Sequence, residues 1–128
     1  MNLITATQLN QWADSIESRH LLPELVKKLV YATKIDLIRV EIPTHEQVQY
    51  SGWDGVVDST NRDQFLPSGI CLMEMGTNKD VKAKADSDYE KRSNDSLGYD
   101  KKHGNFIFIT PRDWSGARDW EQKRNNEQ

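Results

Sequence analysis

Asp54 and Glu74 are the residues of this chain best suited to chemistry. They lie in the runs GWDGVVDS (52–59) and GICLMEMG (69–76). Each run puts a carboxylate within or beside an apolar stretch, where an unpaired charge is costly. Two carboxylates brought together there, with lysines close by, could hold Mg²⁺ for attack on a phosphodiester. One acid per strand is common in sheet proteins, so the spacing alone says little. The order of the surrounding elements gives the pair its meaning.

Each acid has two readings. Asp54 either caps the Ser51–Gly52 turn through local hydrogen bonds or ligates a metal where a strand begins. In the second case Gly55 would leave room for a substrate to approach. Glu74 shares one side of its strand with Leu72, while Met73 and Met75 take the other. The acid therefore points where a core residue is expected, and a salt bridge is the alternative to a site. Lys84, Asp88 and Arg92 follow at intervals of four, along one side of a helix. They form either a surface ladder of ion pairs or a functional row. In the functional row the Lys84 ammonium lies over the carboxylates, orienting water and stabilising charge on a phosphate. Ala85 and Tyr89, beside that row, are expected to face the sheet. The role of Lys82 is less defined.

The elements that must position these groups can be read in order. Thr7 is expected to cap a first helix from Gln8, with Leu9, Trp12, Ala13 and Ile16 on one face. A second helix is expected from near His20 or Leu21, with Pro23 in its first turn and Leu22, Leu25, Val26, Leu29 and Val30 as its buried stripe. Residues 35–42 read as a strand that Pro43 stops. Strands follow at 53–59 and 70–75, then a helix from about Asp80 to Ser93. A dense apolar strand spans 106–110, and a last helix spans 113–123. The order is α-α-β-β-β-α-β-α. The helix between Glu74 and Phe106 permits parallel pairing of their strands, whereas the earlier strands form an antiparallel meander. The fold expected is α/β: a mixed sheet of about four strands with helices on both faces.

A chain of 128 residues makes one domain and can bury roughly two-thirds of its unfolded surface. Four Trp, four Tyr and three Phe supply bulky core material although only 36% of residues are apolar. No stretch approaches the roughly 20 apolar residues of a membrane span, and no secretory signal is visible. The lone cysteine, Cys71, reads as a buried thiol, and a cytoplasmic location is expected. The net charge of −3, from 17 basic and 20 acidic residues, argues against a surface that is wholly a nucleic-acid magnet. It leaves room for a nuclease, whose metal site is itself acidic.

Taken together, GWDG at 52–55, PSG at 67–69, MEMGT at 73–77, KADSDYEKR at 84–92 and FIFITPR at 106–112 resemble a nuclease domain of the PD-(D/E)xK superfamily. More narrowly, they resemble the restriction-endonuclease-like domain at the N-terminus of large bacterial anti-phage NTPase/repeat proteins. The likeness extends back through Gln11, Trp12 and Pro23–Leu25. It implies a Mg²⁺-dependent endonuclease acting on double-stranded DNA, with Mn²⁺ able to substitute. Asp54 matches the first acid and Glu74 the second. Glu24 matches an additional acid near the metals, and the Met75 carbonyl is expected to join the ligands. The basic residue usual two positions after the second acid is Gly76 here, so Lys84 from the following helix is the expected replacement. Lys82, Asp88 and Arg92 are candidate substrate contacts. The resemblance further implies an excised N-terminal part of a longer polypeptide, with sensor and NTPase modules and activity on oligomerisation. The alternative is an inactive nucleic-acid-binding or protein-interaction module on the same fold.

Overall fold

The run GICLMEM carries apolar groups on both sides of its alternation, as a strand covered on both faces requires. In the computed structural model, which describes residues 4–44 and 52–127, it is strand β3, Gly69–Met75, buried from Cys71 to Met75. The remaining elements are α1 (Ala6–Trp12), α2 (Ser18–Thr33), β1 (Leu37–Glu41), β2 (Gly55–Ser59), α3 (Val81–Asn94), β4 (Gly104–Ile109) and α4 (Ala117–Asn126). One sheet runs in the order β1-β2-β3-β4. β1–β2 and β2–β3 are antiparallel, and β3–β4 are parallel, with α3 as the crossover. This is the α/β mixed sheet that the sequence led us to expect.

Strand alternation sorts the core into two faces. Cys71, Met73 and Met75 of β3 cluster with Val57 of β2, Ile42 and the α2 residues Leu22, Val26 and Val30. Leu72, on the other side of β3, clusters with Trp53, Val56 and Phe106. On that second side Tyr89 of α3 meets Phe106 with centroids 5.2 Å apart, and Trp120 of α4 meets Tyr89 at 5.7 Å. Thus α2 covers one face, and α3 and α4 cover the other. Cys71 is 1% exposed, and burial pushes its thiol up to about 11, as an inert core thiol should behave.

Several local expectations need correction. The first helix starts earlier because Thr5, not Thr7, caps it. Thr5 Oγ1 accepts from the Gln8 amide at 3.1 Å, and Gln8 Oε1 accepts from the Thr5 amide at 2.9 Å, a reciprocal box. That helix ends at Trp12, so Ile16 lies beyond it and is exposed. The second helix begins at Ser18, whose buried hydroxyl donates to the carbonyls of Ala13 and Ser15. Pro23 consequently falls in the second turn, where it lacks the N–H that would pair with the Arg19 carbonyl. The buried stripe of α2 is also narrower than expected: Leu22, Val26 and Val30 are inside, but Leu29 is 53% exposed.

Candidate active site

Asp54 directly precedes β2, and Glu74 is the last residue but one of β3. Gly55 pairs with Met73 in the antiparallel register, which sets Asp54 beside the end of β3. There Asp54 Oδ2 accepts the Met75 amide proton at 2.8 Å. The carboxylate thus ties two strands together; Ser51, the other half of the suggested turn cap, lies outside the described residues. Glu74 is 4% exposed and hydrogen-bonds Asp54. Burial, that hydrogen bond and the Asp54 charge push the Glu74 carboxyl up to about 8, while Arg92 opposes the shift. Near neutrality the Glu74 carboxyl is therefore disposed to keep its proton.

Arg92 completes this charge balance. It is buried, donates from Nε to Glu74 Oε1 and from Nη2 to the Gly52 carbonyl at 2.7 Å. Its guanidinium also lies 5.1 Å from the centroid of the Trp53 ring. An arginine so engaged holds Glu74 and the Gly52 carbonyl together, and it also lines the neighbouring pocket. Asp88 is also buried, with Oδ1 accepting from Lys84 Nζ at 3.0 Å. The row 84–88–92 therefore faces the sheet rather than forming a surface ladder, in company with fully buried Ala85. Lys82 points elsewhere: its side chain is 68% exposed and pairs with Asp86 at 2.8 Å.

The Lys84 side chain packs against Gly76. A Cβ on Gly76 would come within 2.8 Å of Lys84 Cγ and 3.1 Å of Cε. The stem of Lys84 thus occupies the space over Gly76, two residues after Glu74 and on the same side by strand alternation. Gly55 plays a different part from the one expected. A Cβ there would meet Ile42 Cγ1 and Met73 Sδ, both at 3.2 Å, so its bare backbone serves core packing on the α2 side.

Glu24 is not brought into the pair. It is half-buried on α2 and forms an ion pair with Lys28 at 3.4 Å. Among the described residues no group of three or more His, Cys, Asp or Glu side chains is arranged to hold a metal. Two carboxylates nevertheless suit Mg²⁺, which commonly takes one or two and keeps several waters. The raised Glu74 carboxyl would have to give up its proton to ligate a dication, which would take over part of the charge balance that Arg92 now supplies. Asp54 and Glu74 would hold the ion, and the Met75 carbonyl lies at the same strand end.

Beside the acids a cavity of about 70 Å³ is lined by Trp53, Leu72, Tyr89, Arg92, Lys101 and Phe106. Compared with known proteins, the chain matches no family model, no curated protein and no solved structure. No helix among the described residues is long and apolar enough to cross a membrane.

Proposed function

We propose that the chain is a divalent-metal-dependent nuclease that hydrolyses phosphodiester bonds of double-stranded DNA, as the resemblance to PD-(D/E)xK domains suggests. One observation carries the reading: half-buried Asp54 beside buried Glu74, with the Lys84 stem packed over Gly76 on the same side of the sheet. Bound Mg²⁺ would supply a polarised phosphate and an activated water. The Asp54 and Glu74 carboxylates would hold that ion, and Lys84 would offset charge developing on the phosphate. Arg92 keeps Glu74 aligned from behind. The effector role in anti-phage defence, the sensor and NTPase modules and activation on oligomerisation belong to the same proposal. A net charge of −3 fits a domain that binds a polyanion weakly by itself.

The experiment is supercoiled-plasmid nicking with Mg²⁺, at protein concentrations high enough to offset weak DNA affinity. Asp54→Ala and Lys84→Ala should be nearly inactive, and Lys82→Ala merely weakened. Full activity in Lys84→Ala would move the basic role to another residue. A second reading has one observation in its favour. Arg92 already neutralises much of the acid pair, as it would in an inactive nucleic-acid-binding or protein-interaction module. Such a module would bind no metal at Glu74.

A further inference from the structure

Lys84 sits on a helix, one residue before a fully buried alanine, yet its ammonium must hold one position if it is to serve the acid pair. Two features of the chain act on it. Gly76 is the first. Its φ lies outside the left-handed region, unlike those of Gly52, Gly69 and Gly98, so any L-residue could adopt its backbone conformation. What the position demands is space: an added Cβ would collide with Lys84 Cγ and Cε, with the Phe108 ring another 3.4 Å away. The colliding atoms belong to a flexible side chain, so the expected response to a methyl group is displacement of Lys84 rather than unfolding.

Asp88 is the second. It is 8% exposed. Oδ1 takes the Lys84 proton, and Oδ2 is buried with no hydrogen-bond partner among the described residues. A surface ion pair leaves no such orphan, because water would satisfy it. An unsatisfied buried carboxylate oxygen is costly to keep. The cost is accepted here on the inward side of α3, where the carboxylate can meet Lys84.

We infer that Gly76 and Asp88 are positioning residues. Gly76 opens the space the Lys84 stem fills, and Asp88 anchors its ammonium from the next helical turn. This rests on the nuclease reading for its consequence, but the holding of Lys84 can be measured without it.

The test has two arms on the 128-residue chain. In the first, a brief pulse of an acetylating ester is followed by peptide mass spectrometry, with Lys82 as internal reference. Lys84 should react more slowly than Lys82 in the wild type and several-fold faster in Asp88→Ala and Gly76→Ala. Asp88→Asn, which keeps an acceptor oxygen, should restore much of the protection and covers the case in which Asp88→Ala does not fold. In the second arm, plasmid nicking by Gly76→Ala and Asp88→Ala should lose kcat on the order of 10²-fold, as for small misplacements of a catalytic group. KM and Mn²⁺ affinity should be unchanged, and Asp88→Asn should recover part of the rate. Unchanged Lys84 acetylation in both variants overturns the inference, and so does raised acetylation with wild-type kcat. If the wild type nicks nothing, the nuclease reading falls while acetylation still decides whether Gly76 and Asp88 hold Lys84.

Discussion

The two faces of the sheet are built from different materials. Against α2 the filling is aliphatic and sulfur-bearing: Leu22, Val26, Val30, Val57, Cys71, Met73 and Met75. Against α3 it is aromatic and ionic, with Trp53, Phe106 and Tyr89 around a buried Glu74–Arg92 pair and Asp88. Burying apolar side chains on the first face stabilises the chain without demanding partners. The second face must find partners for the charges it hides, leaving Asp88 Oδ2 without one among the described residues, and a buried pair contributes little net stability once desolvation is counted. The first face can therefore carry the fold and the second the chemistry, and the strand they share, β3, delivers one side chain to each in turn.

The comparison can be broken by substitution on each side. Met73 is fully buried on the α2 face, so Met73→Ala should cost about 2–5 kcal/mol in denaturant unfolding. Its remaining folded protein should bind Mn²⁺ as the wild type does. Lys84→Ala strips the buried Asp88 carboxylate of its cation, so it should cost a smaller amount, about 1–2 kcal/mol, while nicking falls on the order of 10²-fold. Equal losses of stability from both changes would erase the distinction between the faces.

Glu74 sharpens it further. Its carboxyl is raised to about 8 in the folded chain, above the ordinary Glu range of about 4.3. The native state thus holds a proton that the unfolded state has released over the interval between these values. Stability should fall as pH rises through that window and level off above it. Glu74→Gln mimics the protonated form and keeps an acceptor oxygen for Arg92. It should flatten this slope and be more stable than wild type at pH 7, on the order of 1–3 kcal/mol. Urea unfolding at a series of pH values measures it, and a wild-type stability that rises with pH through that window would contradict the raised Glu74 carboxyl. The smallest effect should come from Lys82→Ala, whose exposed pair with Asp86 is worth about 0.3–0.5 kcal/mol.

Much of this arrangement was legible in the sequence. All eight elements and the parallel pairing of β3 with β4 follow from periodicity, Pro and Gly punctuation and the length between Glu74 and Phe106. The acid flanked by Met73 and Met75 announced itself as a charge in a core position. The cations were harder to read, because their partners are remote. Arg92 owes its burial to Glu74 and Gly52, Lys34 to the carbonyl of Asn61, and Arg112 to Thr77, Ala13 and Asp14. No local pattern marks such residues as interior. Gly55 and Gly76 were ambiguous for a related reason. What a glycine makes room for depends on which side chain arrives, Met73 and Ile42 in one case and Lys84 in the other.

The central claim is that Asp54 and Glu74 together form a divalent-cation site. Calorimetric titration of Mn²⁺ at pH 7 into the wild type, Glu74→Ala and Glu74→Gln tests it most directly. The account predicts saturable binding by the wild type with release of about one proton, since the ligand must ionise, and its loss in both variants while Glu74→Gln remains folded. Equal Mn²⁺ binding by all three proteins would contradict the claim.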